Sequence, residues 1–297
     1  MKIVIGANPD DAGSDALALG SLLCRALGAE PLLCHVHPAA FNYPSQAHVD
    51  AEWRAYLHRE AQHALAKARA EMESVYGWAD VRTVVGEHRS SGQGLAEVAS
   101  AQNADMIVIG TAPGARPGGF QIGSTANKLL HGSPVPVALA PDGYRRDAPD
   151  AIGRIVLAFR NTSESVQALA KSAEMAEAAG VELVLMTILI RHRIYGSKLG
   201  AAAEDAVVAA AESDAEAAQL AALGALGIAE GVKRINAIAD SPRAALQRLE
   251  WSGDELLVLA SARGGPIQRV FLGDMTYKLL RATPVPAIVL PRHTEVP

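Results

Sequence analysis

A glycine- and proline-rich loop that ends in Gly123-Ser124-Thr125 is the segment of this chain best suited to bind a ligand. The apolar run 107–109 and Gly110 precede the loop, and a helical pattern begins at Ser124. The first turn of a helix offers unpaired backbone N–H groups and the positive end of a dipole. Gly123 allows close approach of a ligand, and the Ser124 and Thr125 hydroxyls can add hydrogen bonds. The segment indicates a polyphosphate site, although a surface loop followed by an ordinary helix cap fits it equally well.

Other polar groups in the sequence offer weaker signals. Asp10 and Asp11 precede the first predicted helix and are interpreted as capping charges. His35 and His37 alternate along a predicted strand and share a face, but no third ligand is nearby, so no metal site is expected. The chain contains no GxxxxGK[ST] motif, no nucleophile elbow and no HExxH motif. We therefore expect no catalytic residue and no dedicated enzyme activity.

The chain repeats itself after about half of its length. Residues 123–137 and 273–287 share Gly, Lys, Leu, Leu, Pro, Val and Pro in register. Each half alternates short apolar runs with longer helical patterns, which is typical of a parallel sheet covered by helices. The sequence thus predicts an α/β fold of two tandem domains, each an open, five-stranded, parallel, Rossmann-like sheet.

The predicted elements place the loop between the fourth strand and the fourth helix of the first copy. Its strands are predicted near residues 2–7, 31–37, 81–86, 105–110 and 135–140, and its helices near 13–27, 46–75, 92–102 and 124–131. The strands of the second copy are predicted near 154–159, 182–189, 232–238, 255–260 and 285–290, with a long Ala-rich helix over 201–224. The domains span 1–143 and 153–297, and the polar segment 144–152 is the linker.

Composition excludes several classes of protein. A net charge of −5 without a Lys/Arg block gives no footprint for nucleic acid. No apolar run reaches the ~18 residues that span a bilayer, and the first residues enter a strand without a signal-peptide pattern. Cys24 and Cys34 belong to no CxxC or metal-ligand cluster and are expected to be buried, reduced thiols. We expect a cytoplasmic protein that partners neither nucleic acid nor membrane.

The pattern resembles the universal stress protein family over nearly the whole chain, and implies its Rossmann-like fold of the adenine nucleotide alpha hydrolase type. ATP-binding members carry a Gly, two residues, a second Gly, nine residues, then Gly-Ser or Gly-Thr. Gly110, Gly123 and Ser124 match this motif, but Pro113 stands at the second glycine, with Gly114 directly after it. Proline has no N–H to donate, so the loop either rebuilds its cradle around Gly114 or binds phosphate less well.

The resemblance also implies the nucleoside part of the site. An Asp usually ends the first strand and faces the adenosine; here the position is Asn8, preceded by Ala7. Val36 is the small apolar residue at the end of the second strand, and Ile109 ends the fourth. Asn keeps an acceptor but loses the charge of Asp, so its hydrogen bond is weaker. The expected cofactor is ATP, bound more weakly than in the family and in domain 1 only.

The second copy departs further from the family motif. Arg160 replaces Asn8, and positions 110, 113, 123 and 124 correspond to Ala260, Arg263, Gly273 and Asp274. A carboxylate ~4 Å from a phosphate charge is unfavourable by about 4 kcal/mol at an effective dielectric constant of about 20. We predict that domain 2 does not hold ATP in the family manner, and hypothesise that Arg160 or Arg263 pairs with Asp274.

By resemblance, the chain is a non-enzymatic stress-response regulator or sensor that binds an adenine nucleotide. The alternative is a nucleotide-free assembly or interaction protein, which Pro113, Asn8 and Asp274 favour. In the family the fifth strand mediates domain pairing, so the Pro-Val-Pro runs at 134–136 and 284–286 imply an internal pseudo-dimer. The same prolines fit a strand edge protected from aggregation. The helix faces and edge strands also allow a homodimer.

Overall fold

The protein comprises two compact units, of which the first ends at Ala151 and the second begins at Ile152. The computed structural model describes residues 1–39, 49–191, 201–228, 231–261 and 274–291, with the side chains of 49–51, 201–204 and 274 excepted. Each unit is an α/β domain whose described strands run parallel. The predicted fold class is confirmed.

Domain 1 alternates strands and helices along the chain, and its strands are ordered β3-β2-β1-β4-β5. The strands are β1 (Lys2–Gly6), β2 (Glu30–His37), β3 (Arg82–Glu87), β4 (Met106–Gly110) and β5 (Val137–Ala140). The helices are α1 (Asp11–Leu27), α2 (Val49–Ser74), α3 (Ser91–Ala101) and α4 (Ser124–Gly132). Because β2 and β4 lie on opposite sides of β1, their connections diverge there and open a crevice at the carboxyl ends of β1 and β4.

Helix α1 packs tightly against this sheet. The Asp10 carboxylate caps the helix by accepting a hydrogen bond from the Gly13 N–H (2.9 Å), which confirms its predicted capping role. The strand residues Ile3, Val4 and Ile5 are fully buried. A β-carbon at Gly20 would lie 2.4 Å from the Ile5 side chain. The absence of a side chain at Gly20 therefore lets α1 lie close to β1. This close packing fixes the start of α1 at the crevice.

Domain 2 has the same topology, with its strands ordered β8-β7-β6-β9-β10. The strands are β6 (Arg154–Phe159), β7 (Glu182–Ile190), β8 (Lys233–Ala239), β9 (Glu255–Ala260) and β10 (Ala287–Leu290). The helices are α5 (Ser163–Ala179), α6 (Ala201–Leu226), α7 (Pro242–Leu246) and α8 (Asp274–Ala282). Its crevice accordingly lies at the carboxyl ends of β6 and β9.

The fifth strand of each domain begins later than predicted. Strand β5 starts at Val137 and β10 at Ala287, so the prolines precede the strands. Proline cannot donate to the ladder. The carbonyl groups still accept: Pro136 from the Ile107 N–H (2.9 Å) and Pro286 from the Leu257 N–H (3.0 Å).

Part of the segment predicted as linker is fixed on domain 1. Tyr144–Arg146 form a 3-10 turn in which Tyr144 is buried. The buried Asp15 carboxylate on α1 accepts hydrogen bonds from the N–H groups of Gly143 (2.8 Å) and Arg145 (2.9 Å). The chain therefore stays attached to domain 1 for several residues after β5.

Candidate functional site

A cleft of about 250 Å³ lies at the crevice of domain 1. It is bounded by the ends of β1, β2 and β4, the turn before α1, the start of α3, and the loop that leads into α4. Seven of the nine predicted site residues line it: Asn8, Val36, Ile109, Gly110, Gly123, Ser124 and Thr125. The structure thus brings together residues that are far apart in the chain.

Ala7 and Gly114 are the two predicted residues that do not line this cleft. Ala7 is buried, and its N–H donates to the Cys34 carbonyl (2.8 Å) while its own carbonyl lies 2.7 Å from His35 Nδ1. Gly114 adopts a positive φ of 87°, which a glycine tolerates at a turn. Pro113 rather than Gly114 lines the cleft. The loop does not present Gly114 as a substitute for the second glycine of the family motif.

The start of α4 provides the candidate anion site. Gly123 is its N-cap residue, with φ −82° and ψ −176°, and no side-chain hydrogen bond caps the helix within the described residues. By contrast, the Asp10 carboxylate caps α1 and the Thr162 hydroxyl caps α5. The backbone N–H groups of residues 124–126 at the cleft can therefore bind an anionic ligand.

Two glycines allow the walls of the cleft to approach one another. A β-carbon at Gly110 would lie 2.0 Å from the carbonyl oxygen of Ala12, at the start of α1. A β-carbon at Gly123 would lie 2.7 Å from the Ala112 β-carbon. Both positions need glycine for packing alone, so their match to the family motif has a structural cause beside any contact with a ligand.

The loop between β4 and α4 is braced by its own hydrogen bonds. The Thr111 hydroxyl accepts from the Gln121 N–H (2.7 Å), and the Ala112 N–H donates to the Gln121 carbonyl (3.0 Å). Further along, Gly118 and Gly119 exchange two backbone hydrogen bonds with Asp142, each 3.0 Å. This bracing orders the loop without a ligand, which reduces the entropy cost of binding.

The two hydroxyls at the start of α4 differ in their surroundings. The Thr125 hydroxyl lies 2.6 Å from that of Ser91 at the start of α3. The Ser124 side chain is exposed, and no described side chain hydrogen-bonds to its hydroxyl. Ser124 is therefore the hydroxyl available to an anion, whereas Thr125 joins two helices.

The electrostatic character of the cleft comes from the backbone rather than from charged side chains. Of the described residues that line it, Asp10 is the one acid, and none is Lys or Arg. Cys34 also lines it, and burial raises the pKa of this thiol to about 12, so it stays protonated at neutral pH. Sequence reasoning assigned no ligand contact to Asp10 and missed Ser91 and Thr111; their polar types at element ends were the available signal.

Domain 2 has a larger cleft, of about 440 Å³, at the corresponding place. Arg160 and Ala260 line it, at the positions of Asn8 and Gly110. No described residue hydrogen-bonds or ion-pairs with the Arg160 guanidinium. Arg263, Gly273 and the side chain of Asp274 lie outside the described residues, and with them the hypothesised ion pair at Asp274.

The described part of the chain offers neither a metal centre nor a membrane-spanning helix. It contains no group of three His, Cys, Asp or Glu side chains placed to hold a metal ion, and the Nδ1 atoms of His35 and His37 lie near backbone carbonyls. None of its helices is both long and apolar enough to cross a membrane.

The sequence matches one protein family, and the fold matches that of solved structures. The profile of the Universal stress protein family matches residues 1–141 and 151–291. Universal stress protein Rv2319c of Mycobacterium tuberculosis is 31% identical over 293 residues, which cover 98% of this chain and 100% of that protein. A universal stress protein from Archaeoglobus fulgidus has a similar crystal structure (TM-score 0.63, 17% identity, 98% of each chain). A functionally unknown Pseudomonas aeruginosa protein, PA1789, is also similar (TM-score 0.59, 15% identity, 98% and 92% coverage).

Proposed function

Since the chain belongs to the universal stress protein family, we propose that it is a non-enzymatic stress-response regulator or sensor that binds one adenine nucleotide, ATP, in domain 1. The single observation that carries this proposal is the first turn of α4, which has no side-chain cap and lines a braced cleft at the crevice of the sheet. Crevices at this place are where open α/β sheets bind ligands.

Each wall of the cleft would contribute to binding in a distinct way. The N–H groups of residues 124–126 and the Ser124 hydroxyl would hold phosphate oxygens. The Asn8 amide, at the end of β1, would bond a ribose hydroxyl or a ring nitrogen. Val36 and Ile109 would pack against the adenine ring. No step of this proposal requires a side chain to accept a proton, so it describes binding and not catalysis.

Three features of the cleft would reduce its affinity for ATP. Pro113 lines the wall without an N–H to donate. Asn8 provides a neutral acceptor in place of a carboxylate. The Asp10 carboxylate adds negative charge, although it is exposed and therefore well screened. We propose binding that is weaker than the family motif would provide.

The alternative function is that of a nucleotide-free assembly or interaction protein of the same fold. Two observations on the domain 1 cleft favour it: Pro113, which has no N–H to donate, lines the cleft, and no described lining residue is Lys or Arg. In both proposals domain 2 acts mainly as a structural partner of domain 1, paired with it inside the chain, and a further homodimer is compatible with either.

Nucleotide released from freshly purified protein separates the two proposals. Mass spectrometry of the denatured supernatant should find ATP or AMP at about one molecule per chain at most. A protein of the alternative class would release none. Multiple-turnover release of phosphate above background would contradict the non-enzymatic part of the proposal.

A further inference from the structure

Apolar side chains form much of the wall of the domain 2 cleft. Its walls include Ile188, Ile190, Leu259, Met275 and Leu279. By the register of the repeat, Met275 replaces Thr125, and Ile188 replaces the smaller Val36. Ile188, Ile190 and Met275 are only half-buried, so apolar surface is open to the cleft. Such a surface can hold the apolar body of a ligand.

Most polar groups of this cleft are already engaged within the domain. The Thr162 hydroxyl accepts from the Ser165 N–H (3.3 Å), and the Thr276 hydroxyl donates to the Ala260 carbonyl (3.2 Å). Glu164 accepts from the Ser163 hydroxyl (3.3 Å), and its charge disfavours an anion on its side of the cleft. Arg160 is different: its side chain is exposed at the end of β6, and no described residue pairs with its guanidinium. Arg160 is therefore the strong donor that this wall offers to a ligand.

We propose that the domain 2 cleft binds a small amphipathic carboxylate, with its carboxylate on Arg160 and its apolar body against Ile188, Leu259 and Met275. The planar guanidinium matches a carboxylate through two parallel hydrogen bonds. Arg160 stands at the strand end, where Asn8 stands in domain 1. The anionic group of the ligand is thus placed at the strand end.

The volume of the cleft sets the size of this ligand. At about 440 Å³ it is almost three times the ~150 Å³ cavity that holds one benzene molecule. A monocarboxylate of roughly ten to fifteen non-hydrogen atoms fits this space. Decanoate has that size and is a suitable probe, and 1-decanol is its neutral counterpart.

The test is calorimetric titration of the full chain with decanoate and with 1-decanol, below their aggregation limits. We expect one saturable decanoate site per chain. Arg160→Gln should weaken decanoate binding at least about tenfold, because a hydrogen bond to a charged group is lost, and should leave 1-decanol binding unchanged. Arg248→Gln, at an exposed arginine outside the cleft, is the matched control and should change neither.

A second pair of variants tests whether decanoate binds in the domain 2 cleft, because a larger side chain there should block it. Ala260→Leu places a larger side chain in the cleft at the end of β9 and should abolish decanoate binding, whereas Ala178→Leu on the exposed face of α5 should not.

Ser124→Asp in domain 1 should leave decanoate binding intact, so failure of the ATP proposal does not affect the decanoate proposal. The inference is overturned if decanoate does not bind, if ATP displaces it, or if Arg160→Gln binds it as well as the unaltered chain. The last result is what an internal Arg160–Asp274 pair would produce.

Discussion

At the scale of single residues, the start of α4 separates two hydroxyls that look equivalent in the sequence. Thr125 lies 2.6 Å from the Ser91 hydroxyl and so ties α4 to α3, whereas the Ser124 side chain is exposed at the cleft. A group already engaged within the protein has less to offer a ligand than one that gains its first partner on binding. The two positions should therefore respond differently to removal of the hydroxyl.

We predict that Ser124→Ala weakens ATP binding by about threefold to tenfold, the value of one ordinary hydrogen bond of ~0.5–1.5 kcal/mol. Thr125→Val should leave the affinity within about twofold and should instead lower the melting temperature of the unliganded chain, because the Ser91 hydroxyl loses its partner. Calorimetric titration and thermal melts of the two variants make the comparison. Equal losses of affinity would contradict the assignment.

The two cysteines give a second prediction at this scale. Burial raises the pKa of both thiols to about 12, and both side chains are at most 1% exposed, although Cys34 lines the cleft. Thiolate is the reactive form, so neither thiol should react with Ellman's reagent in the native protein at pH 8. Both should react at once in guanidinium chloride. Rapid labelling of Cys34 in the native chain would show that the part of the cleft lined by Cys34 opens to solvent.

At the scale of elements, α1 contacts both the cleft and the segment that follows β5. Its start packs against Gly110, and its buried Asp15 holds the backbone of Gly143 and Arg145. Asp11, one turn earlier, pairs with the Arg145 side chain at 2.6 Å but is mostly exposed. Two carboxylates on one helix thus contact the same turn from very different environments.

Asp15→Ala should lower the free energy of unfolding by roughly 2 kcal/mol, because the backbone N–H groups of Gly143 and Arg145 both lose their acceptor. Asp11→Ala is the matched control, and its loss should stay below about 1 kcal/mol, as for other exposed ion pairs. Chemical denaturation of both variants provides the measurement. Similar losses in the two variants would mean that the Asp15 contacts do not stabilise the fold.

Asp15 also predicts a pH dependence with a definite sign. Burial raises its pKa above the usual 3.8, even though the two N–H donors oppose this shift. The folded state therefore binds this proton more tightly than the unfolded chain does. The contribution is fully present below about pH 3.8 and is lost as pH rises through the raised pKa.

The stability of the unaltered chain relative to Asp15→Asn should accordingly fall over that interval and then stay constant. Denaturation curves of both proteins at matched pH values measure this difference, and other titrating groups cancel. A difference that grows in favour of the unaltered chain as pH rises would contradict the expected direction.

Strands were easier to predict than contacts between elements. The apolar runs that became β1 and β4, and the glycine that ends the run at 110, were sufficient to locate the crevice. The Ser91–Thr125 contact joins residues 34 positions apart, and the Asp15–Gly143 bond joins residues 128 positions apart. Such contacts depend on how helices pack on the sheet, which local pattern does not encode. Gly114 does not line the cleft, although the residue before it does, and the sequence pattern did not distinguish the two.

At the scale of the whole molecule, one duplicated topology carries two different clefts. The domain 1 cleft is about 250 Å³ and carries Ser124 and Thr125 at the start of α4. The domain 2 cleft is about 440 Å³ and has Met275 where domain 1 has Thr125. The residue types at Arg160 and Asp274 predicted that the copies would differ, but not that the second cleft would be larger.

The most direct test of this account is the stoichiometry of ATP binding, measured by calorimetric titration of the full chain. We predict one site per chain, which Ser124→Asp abolishes because a carboxylate repels phosphate at the start of α4. Ser124→Asn has the same shape without the charge and should retain most of the affinity. Two equivalent sites per chain, or undiminished binding by Ser124→Asp, would contradict the placement of the nucleotide in domain 1.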